Sequence, residues 1–293
     1  MKEKIPMIVI EGPTASGKTA YAVSLAGELG GEIISGDSMQ VYRGMDIGTA
    51  KPTKAEMNGI PHHLIDVADI GESFSAARFV SLAGKAAADI HFRGRVPVVV
   101  GGTGLYVDTL VSGISLAETE CDEELRAGLY DFARENGAQA LHERLANVDP
   151  ASAAAIHPNN IKRVVRALEI FYTAGKTKTE LDAESRRAGT RYDVKRILLR
   201  PADRERMYSR IDTRVDEMFR AGLEDEVYSL YLRGLAQTPT AGSAIGYKEF
   251  YPYFAGECAL GQVRENIKLN TRHYAKRQLT WLSRIGFDEI IEV

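Results

Sequence analysis

The sequence predicts an α/β fold, in which a parallel sheet is flanked by helices and carries an all-helical insertion. Strand-like and helix-like patterns alternate over the first part of the chain, which is typical of such sheets. A glycine-rich loop of a phosphate-binding type follows the first strand signal. Strand signals then disappear and later return. We therefore expect a sheet-containing core of residues 1–115 plus 195–293 and a helical insertion of residues 116–194.

The individual elements follow from the hydrophobic pattern in chain order. Strands are expected at Met7–Ile10, Glu32–Ser35, His63–Asp66, Val96–Val100, Lys195–Arg200 and Asp288–Val293. Helices are expected at Thr19–Leu29 and Ser75–Phe92, the latter with Phe79 and Leu82 facing inward, then through the insertion, and after the fifth strand to about Arg284. Since ligands collect at the carboxyl ends of parallel strands, we expect the polar ends of three strands to form one site.

The loop after the first strand matches the phosphate-loop pattern G-x-x-x-x-G-K-[ST] at every fixed position. Backbone N–H groups in such a loop, with the positive end of the following helix, bind phosphate. We expect Lys18 to reach a terminal phosphate and the Thr19 hydroxyl to bind Mg²⁺. The sequence therefore predicts a phosphate-loop NTPase-like core that binds a phosphate or diphosphate through Gly12, Pro13, Thr14, Ala15, Ser16, Gly17, Lys18 and Thr19.

Composition limits the other possibilities. The chain has 293 residues and a net charge of −3, which argues against wholesale nucleic-acid binding but permits local basic faces. It lacks both the roughly 18–20 consecutive apolar residues of a membrane span and the apolar stretch of a signal peptide. Cys121 and Cys258 lie far apart, and His62 and His63 have no suitably spaced third ligand. We expect a cytoplasmic protein with reduced thiols, in which these histidines are structural or line a pocket.

Two segments are rich in cations. Residues 160–200 carry a positive balance, and near the C-terminus cations recur every four residues, at Arg264, Lys268, Arg272 and Lys276. Few acids interleave with the second set, and we expect Val263, Ile267, Tyr274 and Trp281 to form the core-facing side of the same helix. The basic stripe is either a solvated charged face or a surface that contacts a phosphate backbone.

The type of phosphate ligand is a separate question. ATP- and GTP-dependent phosphoryl transfer usually needs a second acidic residue at the end of an apolar strand. The strand Val96–Val100 ends instead in Gly101–Gly104, and the nearby acids are Asp37 and Asp66. An ATP-dependent small-molecule kinase is therefore possible but not favoured, and an RNA-binding module that senses a nucleotide is a third alternative.

Seven blocks, in the expected order and over nearly the whole chain, resemble the tRNA dimethylallyltransferase family. The first block alone is unspecific, but the complete series is highly specific. The blocks are Gly12–Thr19, Asp37–Tyr42 through Gly48–Pro52, Pro61–Asp66, Gly101–Tyr106, Arg163 with Arg166–Glu169, Ala244–Glu249, and Thr271–Arg272 with Tyr274–Gln278 and Trp281.

This resemblance implies an activity. Enzymes of this family transfer a dimethylallyl group from dimethylallyl diphosphate to the N6 amine of adenosine 37 in the anticodon loop of tRNA, and release diphosphate. The phosphate loop would then hold an isoprenoid diphosphate in place of a nucleotide, which explains why a second acid is missing. We expect a cytoplasmic enzyme that uses Mg²⁺, acts as a monomer and needs no membrane; nucleotide or ATP binding at the same loop stays open.

The resemblance also implies residue roles. Asp37 is the expected catalytic base, with a helix cap or a second-shell Mg²⁺ ligand as the alternative, and Thr103 would hydrogen-bond near the reacting groups. One arginine should contact the diphosphate, and Arg214 is favoured over Arg210. The anticodon stem-loop would be contacted by Asp37, Ser38, Met39, Gln40, Lys162, Arg163, Arg166, Arg272, Lys276 and Arg277.

Overall fold

The computed structural model describes residues 4–113 and 122–293 of the chain. It contains two compact units, one formed by Met1–Val111 with Arg191–Val293 and one by Ser112–Thr190. The predicted start of the insertion at residue 116, its acidic residues Glu118 and Glu120, and Cys121 lie outside the described residues.

A parallel six-stranded sheet forms the first unit, which confirms the predicted fold class. Its strand order is β3-β2-β4-β1-β5-β6, and every pairing is parallel. The strands are β1 (Ile5–Glu11), β2 (Glu32–Ser35), β3 (His62–His63), β4 (Pro97–Gly101), β5 (Tyr192–Arg200) and β6 (Glu289–Glu292). Residues Tyr192–Val194, which we assigned to the insertion, pair with β1.

Twelve α-helices are described in residues 4–113 and 122–293. They are α1 (Lys18–Leu29), α2 (Lys54–Met57), α3 (Ala76–Phe92), α4 (Gly104–Ser112), α5 (Glu123–Val148), α6 (Pro150–Ala155), α7 (Ile161–Ala174), α8 (Lys178–Ala188), α9 (Arg204–Arg220), α10 (Leu223–Leu232), α11 (Tyr251–Phe254) and α12 (Leu260–Leu282). Within this part of the chain, none is long and apolar enough to cross a membrane.

The sheet unit buries apolar side chains on both faces of the sheet. On one face, Phe79 of α3 is fully buried, as predicted, and its ring stacks on Tyr106 with centroids 4.8 Å apart. Leu82 packs against the same cluster and is partly buried. On the other face, Ala22 and Ala26 of α1 contact the strands. Packing on both faces explains why the strands read as continuous apolar runs.

The helical unit has its own core. Leu141 and Leu145 of α5 pack against Val164 and Leu168 of α7, and all four side chains are fully buried. Helix α5 bends at Gly137, whose φ of 86° lies outside the helical region. The apolar spacing in this segment therefore produced helices that pack on one another, without a strand in its described part.

A loop of the sheet unit, residues 46–50, is held by two side chains from distant elements. The Glu226 carboxylate of α10 accepts hydrogen bonds from the backbone N–H groups of Asp46, Ile47 and Gly48, at 3.1, 2.7 and 3.1 Å. The Tyr247 hydroxyl donates to the same carboxylate at 2.6 Å. The Tyr247 ring lies so close to the Gly48 backbone that a Cβ there would come within 2.5 Å of a ring carbon.

We expect Gly48→Ala to destabilise the protein by about 1–3 kcal/mol, because the added methyl group overpacks against a fully buried ring. Calorimetry should show this as a lower Tm. Gly71→Ala is the matched control, since nothing lies within 4 Å of a Cβ at that position, and its effect should stay within about 0.5 kcal/mol. Equal Tm values for the two variants would contradict this account of the loop.

Candidate functional site

The ends of three parallel strands meet at one cavity of about 800 Å³ in the sheet unit. The phosphate loop follows β1, the segment containing Asp37 follows β2, and Gly102 follows β4. The convergence expected from the sequence is therefore present. The lining residues used below are Thr14, Gly17, Lys18, Thr19, Asp37, His62, Arg210, Arg214, Tyr274 and Gln278.

The phosphate loop leaves backbone donors at the start of α1. Gly17, with φ 84°, precedes the helix, and no side chain caps it. The first N–H groups of a helix have no intrahelical acceptor. The Ser16 hydroxyl is also buried without a hydrogen-bond partner in the described ranges. These unpaired donors, with the helix dipole, make the loop suited to an anion.

Lys18 and two arginines of α9 supply positive charge to the cavity. Lys18, Arg210 and Arg214 form no ion pair with a carboxylate in the part of the chain that the structure describes. An Nη2 of Arg210 lies 3.6 Å from where a Cβ on Gly17 would stand, and Arg210 is exposed whereas Arg214 is partly buried. The sequence favoured Arg214 over Arg210 for the diphosphate, and the structure brings both to the cavity.

Burial and repulsion lower the pKa of Lys18 to about 7. Loss of hydration has the largest effect, and the positive charge of Arg214 adds to it, while Asp37 and Glu11 act in the opposite direction. Burial likewise lowers the pKa of Arg214. The Lys18 ammonium donates a hydrogen bond to the Pro13 carbonyl at 2.6 Å. A bound anion would restore the charged form of Lys18.

The Thr14 N–H, which we expected to face phosphate, already donates a hydrogen bond within the protein. It donates to Oε1 of Gln278 at 2.8 Å, and Nε2 of Gln278 donates to the Gly102 carbonyl at 2.9 Å. The sequence analysis gave Gln278 no role beyond its place in a family block. Its importance depends on a contact across 264 positions, which helical periodicity does not reveal.

Asp37 is anchored by one carboxylate oxygen. Its Oδ1 accepts hydrogen bonds from the N–H groups of Met39 and Gln40, at 2.8 and 3.3 Å. These bonds close a turn and do not cap a helix, because the next helix, α2, begins at Lys54. The helix-cap alternative is therefore wrong for Asp37. Its side chain lines the cavity, as a catalytic role requires.

Thr103 and Tyr274 lie beside Asp37. The Thr103 hydroxyl accepts a hydrogen bond from the Ser38 N–H at 3.2 Å. Burial, and next the negative charge of Asp37, raise the pKa of Tyr274 to about 12, although Thr103 and Gln278 partly offset them. Tyr274 therefore keeps its proton. We predicted Tyr274 as a core residue, which was wrong, since this ring lines the cavity.

Gln40, predicted to contact RNA, holds its own loop together. Its Oε1 accepts from the Ser35 hydroxyl at 3.1 Å, and its Nε2 donates to the carbonyls of Thr49 and Ala50 at 3.3 and 3.2 Å. Met39 packs against the core of the sheet unit. The segment from Asp37 to Gln40 thus shapes the cavity wall.

Acids from α9 partly neutralise the basic stripe on α12. The sequence analysis considered only acids within the α12 segment and therefore did not predict these pairs. Arg272 forms a two-pronged ion pair with Asp212, in which Nε lies 2.9 Å from Oδ1. Lys268 lies 2.9 Å from Asp216. The guanidinium of Arg264 lies 4.6 Å from the centre of a phenylalanine ring of α9. The neighbouring helix therefore pairs with most of the stripe.

Lys276 and Arg277 differ from the rest of that helix. Both are exposed, and within the described ranges neither pairs with a carboxylate. The Arg277 guanidinium lies 5.8 Å from the centre of the Tyr274 ring. Of the predicted RNA-contacting residues on α12, these two present their charge to solvent.

In the helical unit, the predicted basic residues also divide into two kinds. Arg166 pairs with the buried Glu169 at 2.9 Å, as does Arg126. Lys162 and Arg163 are exposed on the first turn of α7. Arg166 therefore compensates a buried charge, while Lys162 and Arg163 offer theirs to the surface.

The two adjacent histidines have structural surroundings. Nε2 of His63 lies 2.7 Å from the buried carboxylate of Glu32, which also pairs with Arg93. His62 lines the cavity, its Nδ1 lies 2.8 Å from the Ile60 carbonyl, and burial lowers its pKa. Their positions agree with the structural and pocket-lining roles that the sequence suggested.

A buried polar network that the sequence did not suggest lies at the end of β1, directly before the phosphate loop. Glu11, the last residue of β1, is 1% exposed and pairs with Arg196 at 2.6 Å. Arg196 also pairs with Asp108 at 2.6 Å, and the Trp281 indole N–H donates to Asp108 at 2.6 Å. Trp281, predicted as core, is thus a hydrogen-bond donor that links α12 to the strand before the loop.

Comparison with known proteins gives a consistent set of relatives. The model of the IPP transferase family matches residues 40–285. A tRNA dimethylallyltransferase of Halalkalibacterium halodurans is 51% identical over 281 residues, which cover 96% of this chain and 88% of that protein. One of Geobacter sulfurreducens is 47% identical over 281 residues, with coverage of 96% and 90%.

Solved structures show the same likeness. The full-length tRNA isopentenylpyrophosphate transferase of Bacillus halodurans has a TM-score of 0.73 and 47% identity, over 99% of this chain and 90% of that one. A eukaryotic dimethylallyltransferase acting on tRNA has a TM-score of 0.82 and 31% identity, over 98% of this chain and 73% of that one.

The lowered pKa of Lys18 predicts how anion binding depends on pH. Above pH about 7, pyrophosphate must bind together with a proton, so its affinity should fall by up to about tenfold per pH unit. Titration calorimetry from pH about 6 to about 9 measures this decline. Lys18→Arg is the control, because arginine stays charged and the titration of pyrophosphate itself cancels in the comparison. The same pH dependence in both proteins would rule out the lowered pKa.

Proposed function

The chain belongs to the IPP transferase family, and we propose that it transfers a dimethylallyl group from dimethylallyl diphosphate to N6 of adenosine 37 in the anticodon loop of tRNA. One observation carries the proposal. A carboxylate, Asp37, shares a cavity with a phosphate loop and with cations that have no ion-pair partner in the described ranges. This combination suits a substitution in which an anionic group leaves while the attacking amine loses a proton.

Departure of diphosphate needs positive charge near the breaking C–O bond. Lys18 and Arg214, with the N–H groups at the start of α1, line the cavity where the diphosphate would bind. Donors that are oriented in advance stabilise charge that develops in the transition state without reorganising. Burial lowers the pKa of Lys18 to about 7, and a bound diphosphate would favour its charged form.

The oxygen donors of the site fit Mg²⁺. The Thr19 hydroxyl and the Asp37 carboxylate line the same cavity, and Mg²⁺ is usually held by one or two protein oxygens together with substrate phosphates. Thr19 would hold the ion beside the diphosphate. When bound, it would add positive charge next to the leaving group.

The adenine amine is a weak nucleophile, because its lone pair is delocalised into the ring. Asp37 would accept the amine proton as the C–N bond forms. The two N–H bonds to Oδ1 fix the carboxylate, and Oδ2 accepts no hydrogen bond from the described residues. The Thr103 hydroxyl, held against Ser38, would hydrogen-bond to the adenosine.

The tRNA contacts that the chain supports best are made by exposed cations. Lys276 and Arg277 lie on the helix that also brings Tyr274 to the cavity. Lys162 and Arg163, which are exposed on the helical unit, would likewise contact tRNA phosphates. A base that reacts inside a pocket must first leave its stack, at a cost of a few kcal/mol, and phosphate contacts of this kind supply binding free energy that offsets it.

The proposal is tested by incubating the protein with radiolabelled dimethylallyl diphosphate and unmodified tRNA. Label recovered in nucleoside supports the transferase function, and a tRNA with guanosine at position 37 is the control that should stay unlabelled. ATP turnover without transfer would identify a kinase instead. Binding of tRNA with neither reaction would identify an RNA-binding module.

We predict that Asp37→Asn lowers kcat by about 10²–10⁴-fold, which is the usual contribution of a general base. Asparagine keeps an oxygen for the N–H groups of Met39 and Gln40, so the loop and the affinity for tRNA should stay nearly unchanged. Single-turnover transfer and filter binding measure the two effects. Asp69→Asn, at an exposed site, is the matched control, and an Asp37→Asn variant that keeps most of its rate would show that Asp37 is not the base.

A further inference from the structure

One side chain, that of Gln278, joins two of the three loops that form the cavity. It is 7% exposed. Its Oε1 accepts from the Thr14 N–H of the phosphate loop, and its Nε2 donates to the Gly102 carbonyl after β4, at 2.8 and 2.9 Å. Both functional groups of the amide are therefore used to connect α12 with the ends of β1 and β4.

The glycine-rich segment after β4 is shaped to receive α12. A Cβ at Gly102 would overlap Nε2 of Gln278, and a Cβ at Gly104 would overlap the Trp281 indole. Only glycine therefore permits the approach of these two side chains. This explains a block of the sequence, Gly101–Gly104, to which the proposed reaction assigns only Thr103.

The Thr14 N–H has no role in α1, because Thr14 lies three residues before the helix N-cap at Gly17. A donor in such a place costs free energy unless it finds an acceptor. The acceptor comes from a side chain on α12, which is far away in the sequence. The position of the phosphate loop is thus set from α12 as well as by the strand that precedes it.

We propose that Gln278 is a positioning residue for the diphosphate site, which fixes the phosphate loop in its anion-binding shape from helix α12. The inference rests on the proposed function for the identity of the ligand. It makes diphosphate affinity depend on the helix that presents Tyr274 to the cavity and Lys276 and Arg277 to solvent. The phosphate loop and the proposed RNA-contacting surface are then joined by one hydrogen-bonded side chain.

The test compares Gln278→Met with Val263→Ala in the full-length protein. Methionine keeps the length of the side chain but removes both hydrogen bonds. Val263→Ala removes two methyl groups from a fully buried side chain nearer the start of the same helix, which does not line the cavity, and leaves Thr14 untouched. Titration calorimetry with inorganic pyrophosphate and Mg²⁺ measures affinity, and thermal unfolding measures how far each variant weakens the packing of α12.

We expect Gln278→Met to weaken pyrophosphate binding by about tenfold, which corresponds to about 1.4 kcal/mol. Val263→Ala should change it by less than about twofold, even where it lowers Tm by as much. In the transfer assay, Gln278→Met should raise KM for dimethylallyl diphosphate and leave KM for tRNA unchanged. Should Gln278→Met fail to fold, Gln278→Asn, whose amide is one methylene too short to reach both loops, carries the same expectation.

Equal affinity of the wild type and Gln278→Met would overturn the inference, as would parallel losses in Gln278→Met and Val263→Ala that follow Tm alone. Either result leaves the proposed function intact. A wild-type protein that binds no pyrophosphate would instead contradict the proposed function, and the inference with it. The failures of the two proposals are therefore distinguishable.

Discussion

The site depends on holding several cations close together around a loop of unpaired N–H groups. This arrangement is electrostatically unfavourable in itself, since like charges repel and burial removes hydration. The cost is visible at Lys18, whose pKa falls to about 7 under burial and the charge of Arg214. An anion relieves both effects at once. The features around the cavity can be understood as ways to keep these groups in place.

Two distant side chains do this in the same way, by supplying an acceptor to a loop. Glu226 accepts three N–H groups of the 46–48 segment, and Gln278 accepts that of Thr14. At the end of β1 the roles are reversed, because Arg196 of the neighbouring strand donates to Glu11. Loops at the carboxyl edge of a sheet have few internal hydrogen bonds, so acceptors from packed helices give them a fixed shape. The surrounding helices thus supply the rigidity that the loops lack.

The sequence predicted well what depends on local pattern. Five of the six strands, the phosphate loop and the inward position of Phe79 follow from apolar runs, glycine placement and helical spacing. The third strand, expected at His63–Asp66, covers His62–His63 instead, because the chain turns with positive φ at Leu64 and Asp66. Prediction from the sequence failed for contacts between elements that are far apart in the chain. The stripe on α12 looked unpaired because its acids, Asp212 and Asp216, lie on α9. Tyr274 looked like core because periodicity distinguishes the faces of a helix, not a cavity wall from a packed interior.

The position of Asp37 connects the two halves of the proposed reaction. Its negative charge stabilises the charged forms of Lys18 and Arg214, so before reaction the cations are partly balanced by this carboxylate. As the proposed base, Asp37 would become neutral on accepting the proton of the amine, and this balance would disappear. The full charge of the cations would then act on the diphosphate, at the moment when negative charge builds on its bridging oxygen. In the proposed reaction, proton transfer to Asp37 and stabilisation of the leaving group would therefore reinforce each other through the electrostatics of a single cavity.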